Sequence, residues 1–244
     1  MANHPNDTRP FHFKQFSLHH HRSSMKVGTD AIILAVWADV DSADSILDIG
    51  SGSGIISMLL ASRCNARIHA VETDKASVEE STDNFRNSKF NTRLSVQKEG
   101  FVEYANHCSE RYDLIVSNPP FFTNHSFKPK EESRKNARHA DTLGFEQLCN
   151  GVSKLMKPTG KFCLVLPESE RQYFLKTASL IGLHIQKQLN IFPIRKLPAN
   201  RVNLQVGFQK PKEILTENYC IRENDFTFTA QHINLLKDYY IGWD

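Results

Sequence analysis

The chain has 244 residues, of which 40% are hydrophobic and 23% charged. This suits one large α/β domain or two small ones, and it excludes intrinsic disorder, collagen-like repeats and a disulfide-rich mini-scaffold. Lys and Arg number 30 against 27 Asp and Glu, a formal net charge of +3, too small for a polycation that coats nucleic acid, so an acidic partner would have to be met by local clusters.

In chain order, residues 1–10 form a polar tail with no apolar core of a signal peptide. The longest strongly apolar stretch, residues 31–38, is far too short to span a bilayer. Residues 45–49 (SILDI) predict a buried strand, 55–63 a helix, 67–72 (RIHAVE) a second strand and 75–90 a polar-faced helix. Residues 94–97 and 112–117 (YDLIVS) give strands three and four, and 144–156 a helix stopped by the turn Lys157-Pro158-Thr159-Gly160. Strand five covers 161–166, a helix 168–181, and strands six and seven 183–191 and 202–209. The last strand alternates Val202, Leu204, Val206 and Phe208 with polar or small residues, a half-buried pattern. Alternating strands and helices predict a Rossmann-like, doubly wound α/β fold. Its seven-stranded sheet is mostly parallel, with strands six and seven forming an antiparallel hairpin at one edge. Residues 211–244 are an appendage packed on the same domain, with 230–240 a candidate amphipathic helix.

Leu47-Asp48-Ile49-Gly50-Ser51-Gly52-Ser53-Gly54 stands where strand one turns into the first helix. Glycines there permit a sharp turn and close approach of backbone to ligand. The G-x-G-x-G spacing is not that of dinucleotide binders, and no Lys-Ser or Lys-Thr follows to grip a phosphate. Asp48 would repel a pyrophosphate but suits a cationic ammonium. Glu72, at the end of strand two, can accept hydrogen bonds from both hydroxyls of a ribose. A cationic amino-acid end plus a ribose describes S-adenosylmethionine.

Ser117-Asn118-Pro119-Pro120-Phe121-Phe122 follows strand four, which should face the same crevice as the glycine loop. Two prolines fix the backbone. The Asn118 amide oxygen and the Pro119 carbonyl then offer two acceptors, and Phe121 an apolar face. That set fits a planar group bearing an NH2, with the ring stacked on Phe121. Bonds that strengthen as the nitrogen becomes tetrahedral favour the transition state.

The glycine loop, Glu72 and the Asn-Pro-Pro-Phe string resemble class I S-adenosylmethionine-dependent methyltransferases that modify amino groups. Phe13-Lys14-Gln15-Phe16, Met25-Lys26-Val27-Gly28-Thr29-Asp30-Ala31-Ile32 and Arg111-Tyr112-Asp113 narrow the resemblance to bacterial tRNA adenine-N6 methyltransferases. Those act on the adenosine beside the anticodon of a valine tRNA. The similarity covers about residues 11–209, and it implies a methyltransferase domain over 11–210. It implies that Asp48, Gly50, Gly52 and Gly54 hold the methionine end of the cofactor and Glu72 its ribose. Asn118, Pro119, Pro120 and Phe121 would hold the adenine, and residues 25–30 would help close the site. Many relatives carry an aspartate after strand three. Here that position is Gly100, with Glu99 before it as a candidate contact to the cofactor's adenine.

Lys128, Lys130, Arg134, Lys135 and Arg138 stand against Glu131 and Glu132 directly after the catalytic string. This local excess equals that of the whole chain, and it suits a phosphate backbone. Arg195, Lys196 and Arg201 form a second cluster. His19, His20 and His21 read as a solvent-exposed run and no metal is expected. The five cysteines, Cys64, Cys108, Cys149, Cys163 and Cys220, form no CxxC pair, so a cytoplasmic protein is expected; a monomer is the expected state. Methylation of a guanine 2-amino group in ribosomal RNA or of a glutamine amide, and an inactive RNA-binding relative, stay open on the residues alone.

Overall fold

The computed structural model describes residues 8–23, 26–119 and 143–243. Two short strands, β1 (Phe11–His12) and β2 (Ser17–Leu18), pair antiparallel at the start. Helix α1 (Thr29–Trp37) buries six consecutive residues, 31–36, so it is covered on every side rather than amphipathic.

The main sheet follows. It comprises β3 (Ser45–Ile49), β4 (Arg67–Glu72), β5 (Leu94–Lys98), β6 (Tyr112–Ser117), β7 (Met156–Pro167), β8 (His184–Ile194), β9 (Arg201–Gly207) and β10 (Leu215–Arg222). Their spatial order is β10-β8-β9-β7-β6-β3-β4-β5. Every neighbouring pair is parallel except the two that β9 makes. Parallel strands need crossovers, which the helices supply. These are α2 (Ile55–Ala61), α3 (Lys75–Arg86), α4 (Phe101–His107), α5 (Phe145–Leu155) and α6 (Arg171–Leu180), with α7 (Ala230–Leu236) after the last strand.

The period of two along each strand sends alternate residues into two cores. Ile46, Leu114, Val116 and Cys163 pack with α1, α2 and Phe85 of α3. Leu47, Ile49, Ile115, Phe162 and Leu164 pack with α4, α5 and α6. The chain runs outward from β3 to β5, then returns to β6 on the other side of β3. The strand order therefore reverses between β3 and β6, and a crevice opens outside their C-terminal ends.

Several expectations change. Among the described residues the sheet has eight strands, not seven, because residues 215–222 of the appendage add β10 beside β8. The last two predicted strands do pair antiparallel, but they are not an edge hairpin: β9 lies between β7 and β8. For that reason Val202–Gly207 is buried throughout, Asn203 and Gln205 included, where alternation suggested one wet face. The Lys-Pro-Thr-Gly turn is an irregularity inside β7, between the pairings Tyr112↔Met156 and Leu114↔Lys161. Helices α1 and α4 were not predicted. In α7, Leu236 is buried while Ile233 stays exposed.

Candidate active site

β3 and β6 run side by side, with Asp48 opposite Val116 and Ile49 opposite Ser117. The Ser117 hydroxyl donates to the Ile49 carbonyl at 3.0 Å. This bond ties the two strand ends together beneath the glycine loop and the start of the Asn-Pro string. Adjacent strands lie about 4.8 Å apart, so the two motifs border one crevice.

Asp48 is wholly buried. Its Oδ2 accepts from the Ser57 backbone N–H at 3.2 Å and from the Ser57 hydroxyl at 2.7 Å. Its Oδ1 has no partner among the described residues. Burial pushes the carboxyl up to about 7, against the lowering effect of the two Ser57 bonds. A buried carboxylate with an open acceptor is costly alone and favourable beside a cation. Gly50 and Gly52 adopt φ of 72° and 54°, and a Cβ on either would meet nothing within 4 Å. The loop thus leaves open space at Gly50 and Gly52. Gly54 is a close-packing position instead, where a Cβ would collide with the Phe85 ring. The buried Ser51 hydroxyl also lacks a partner among the described residues.

Glu72 stands at the end of β4. Its Oε2 accepts from the Gly52 N–H at 2.9 Å, and its Oε1 from the Thr73 and Asp74 N–H groups at 2.8 and 2.9 Å. The carboxylate is fixed against the glycine loop, and Oε2 retains capacity for a ligand hydroxyl. Glu99 is beside it, its N–H bonded to the Glu72 carbonyl at 3.0 Å. Both Glu99 carboxylate oxygens are engaged, by Gln97 and by His107, each at 2.8 Å. Gly100 caps α4 with an ordinary extended backbone.

Asn118 is half-buried, and its Oδ1 is inaccessible and without a partner among the described residues. Pro119 is buried. Pro120 and Phe121 lie outside the described residues, as do Lys128, Lys130, Arg134, Lys135 and Arg138. Arg195 is exposed and held bidentate by Glu223 at 2.5 and 2.7 Å. Lys196 is exposed. Arg201 is paired with Asp30 at 2.8 Å, which links the start of α1 to β9. Asp113 is remote from the crevice: it ties β6 to the start of β3 through the Ser45 N–H and hydroxyl, each at 3.0 Å, and binds Lys157 at 2.8 Å.

His19 and His21 are exposed, as expected of the histidine run, and His20 departs from that expectation. His20 is buried. His21 lies 3.4 Å from Glu80, a fully buried carboxylate on α3. Glu80 also accepts from the Arg22 N–H at 2.9 Å and from the Ser23 N–H at 2.8 Å. Burial opposes its ionisation, but these bonds and His21 outweigh that and hold it below the usual carboxylate range. Asn84, one turn on, accepts from the His19 N–H and donates to the carbonyls of His19 and Ser53 at 2.9, 2.8 and 2.9 Å. Residues 19–23 are thus strapped to α3 and, through Ser53, to the glycine loop. Sequence reading missed this anchor. Its signal was available: Ser77, Glu80, Ser81 and Asn84 recur at helical spacing, and all are buried. Among the described residues, no group of three or more His, Cys, Asp or Glu is placed to hold a metal, and no helix is long and apolar enough to cross a membrane.

Residues 21–173 match the Methyltransferase small domain family. The chain is 38% identical over 236 residues to a tRNA1(Val) (adenine(37)-N6)-methyltransferase from Trichodesmium erythraeum, covering 96% of this chain and 98% of that one. It is 40% identical over 233 residues to the protein of the same name from Erwinia tasmaniensis, covering 95% and 94%. In fold it is similar to a predicted O-methyltransferase from Agrobacterium tumefaciens, with a TM-score of 0.63 at 18% identity over 86% of this chain and 96% of that one.

Proposed function

The chain belongs to the tRNA1(Val) (adenine(37)-N6)-methyltransferases, and on that premise we propose that Asp48, the glycine loop, Glu72 and Asn118 are the groups that carry the reaction. The enzyme transfers a methyl group from S-adenosylmethionine to the exocyclic N6 of an adenine in tRNA, the adenosine beside the anticodon of valine tRNA. When bound, the cofactor supplies a sulfonium methyl that is electrophilic without further activation.

The observation that supports the residue roles is a pair of buried oxygens on adjacent strand ends, Asp48 Oδ1 and Asn118 Oδ1, that have no partner among the described residues. Asp48 binds the ammonium of the cofactor's methionine end, where the open glycine turns let the backbone come close. Glu72 accepts from the ribose. Asn118 Oδ1 and the Pro119 carbonyl accept the two N6–H bonds of the target adenine. The amine lone pair is delocalised into the ring, so the amine is a weak nucleophile. As the nitrogen becomes tetrahedral and positive, its N–H groups become better donors and both bonds strengthen. The stabilisation falls on the transition state more than the ground state. Phe121 supplies a stacking face. An adenine inside a tRNA loop must be turned outward to reach this crevice. The basic residues at 128–138, with Lys196, attract the phosphate backbone around it.

The test is incubation with labelled cofactor and RNA from cells lacking the gene, followed by identification of the methylated nucleoside. N6-methyladenosine in valine tRNA is the expected product. Methylguanosine in ribosomal RNA, or label only in protein, would overturn the reading.

A further inference from the structure

The sheet does not end level along the crevice. From Ser117 at the end of β6, the pairing runs through Leu164, Leu204 and Gln188 to Thr216 on β10. Beyond that level, β8 continues six residues to Ile194 and β10 six residues to Arg222. β8 and β10 thus run on for about 20 Å of strand, at about 3.3 Å per residue, at the same C-terminal end of the sheet as the crevice. β8 lies three strands and β10 four strands from β6, and the twist of the sheet turns their axes away from that of β6.

The tip of this extension is unusual. A tight turn follows Arg222, closed by Glu223 N–H to the Thr227 carbonyl at 2.8 Å and Phe226 N–H to the Glu223 carbonyl at 3.1 Å. Phe226 is held at φ 68° with its side chain 60% exposed. A bulky residue in the left-handed region is rare, and such strain marks functional positions more often than passive ones. Phe228, beside it, carries the Arg222 guanidinium 4.2 Å above its ring centre. Arg195 clamps the turn through Glu223. Among the described residues, the exposed aromatic side chains are Tyr173, Phe226 and Phe228. Phe226 and Phe228 stand together at this turn, whereas Tyr173, in the first turn of α6, packs against Phe145. Arg195, Lys196 and Arg222 outnumber Glu223 and Asp225 at the tip.

We propose that this extension is a second tRNA contact, in which the Phe226 ring, backed by the Arg222–Phe228 stack, receives an unstacked base of the anticodon arm other than the one methylated. This rests on the functional reading above. Rigid exposed aromatics with neighbouring guanidinium groups are the usual partners of unstacked bases. The hydrogen-bonded turn presents the ring without an ordering cost at binding. A folded RNA loop can reach both the crevice and the tip, whereas the cofactor cannot. The contact therefore serves substrate affinity and not cofactor binding.

The experiment uses an unmodified valine tRNA transcript and the full chain, with binding followed by fluorescence anisotropy. Glycine accepts a positive φ without strain, so Phe226→Gly removes the ring and leaves the fold intact, which an unchanged or higher Tm confirms. Its Kd for the transcript rises about five- to about 150-fold, the range for loss of one base–aromatic stack. The KM for tRNA rises in parallel while kcat and cofactor affinity stay at the wild-type values, and Phe226→Trp restores binding. A Phe226→Gly protein that binds the transcript within about twofold of wild type would overturn the proposal while leaving the activity intact, and would assign the platform to a protein partner instead. A wild-type protein that neither binds nor methylates the transcript would overturn the functional reading, and this inference with it.

Discussion

Asp48 makes a quantitative prediction about cofactor binding. Its carboxyl is buried, raised from the usual 3.8 to about 7, and half-satisfied by Ser57. Raised to that extent, it weakens the cofactor-free fold by about 4 kcal/mol at high pH, at about 1.4 kcal/mol per pH unit. The sign follows from linkage: stability from this group is complete below pH 3.8 and declines as pH rises to about 7, where the buried carboxyl ionises. A cation at Oδ1 reverses that preference. Below pH 7 the carboxyl must release a proton to bind it, so the Kd for S-adenosylmethionine rises toward tenfold per unit as pH falls from about 7 to about 5.5. An α-amino group is still charged in that window, so the change reports on Asp48. Asp48→Asn removes the charge. Its affinity falls about ten- to about 150-fold at pH 7, the range for a hydrogen bond to a charged group, and its pH dependence flattens. The cofactor-free variant is more stable than wild type at pH 8. Isothermal calorimetry in buffers of different ionisation enthalpy reads both the Kd and the proton released. A Kd independent of pH with no proton release would refute the assignment of Asp48 to the ammonium.

Asn118→Ala lowers kcat about a hundred- to a thousandfold, the effect of losing one group aimed at a developing charge, and leaves cofactor Kd within about tenfold; calorimetry beside single-turnover kinetics separates the two. Glu80→Gln weakens the charge-assisted bonds to residues 22 and 23, lowers stability by about 1–3 kcal/mol and speeds amide exchange over residues 19–23, which mass spectrometry detects; unchanged exchange there would show that the strap does not depend on the charge. His232 is buried against Tyr219 at 2.6 Å, and burial lowers it to about 4. The unfolded chain binds that proton near 6.5, so stability is full above pH 6.5 and falls as pH drops toward 4, by up to about 3 kcal/mol. His232→Phe reduces this acid sensitivity in thermal melts recorded from pH 7 to pH 4.5.

Much of the crevice was legible because it is local. A strand, a glycine turn and a helix occupy consecutive residues, so Asp48, Gly50, Gly52 and Gly54 declare their place in the fold. The same holds for Asn118 after β6 and Glu72 after β4. The boundaries of Arg67–Glu72 and Tyr112–Ser117 agree with the sequence reading; in the second, burial of Leu114–Ser117 on both faces leaves a nearly continuous apolar run. Arg195 and Arg201 were legible as cations but not as members of ion pairs, since Glu223 and Asp30 are far away along the chain.

What the sequence by itself determined was the alternation of elements, the glycine loop with its acidic partners, and the Asn-Pro string at a strand end. These rest on periodicities of two and 3.6 and on backbone restrictions within a few residues. Only the tertiary structure decided where β9 inserts, that residues 215–222 become an eighth strand, that Glu80 and Asn84 strap residues 19–23 to the glycine loop, and that β8 and β10 run on past the level at which β6 ends. Each of these depends on which distant residues meet. Asn203 and Gln205 are buried by what pairs on either side of them, Glu80 is tolerable inside only because residues 21–23 bring it hydrogen donors, and Phe226 stands at the same end of the sheet as the crevice because β10 runs parallel to β8.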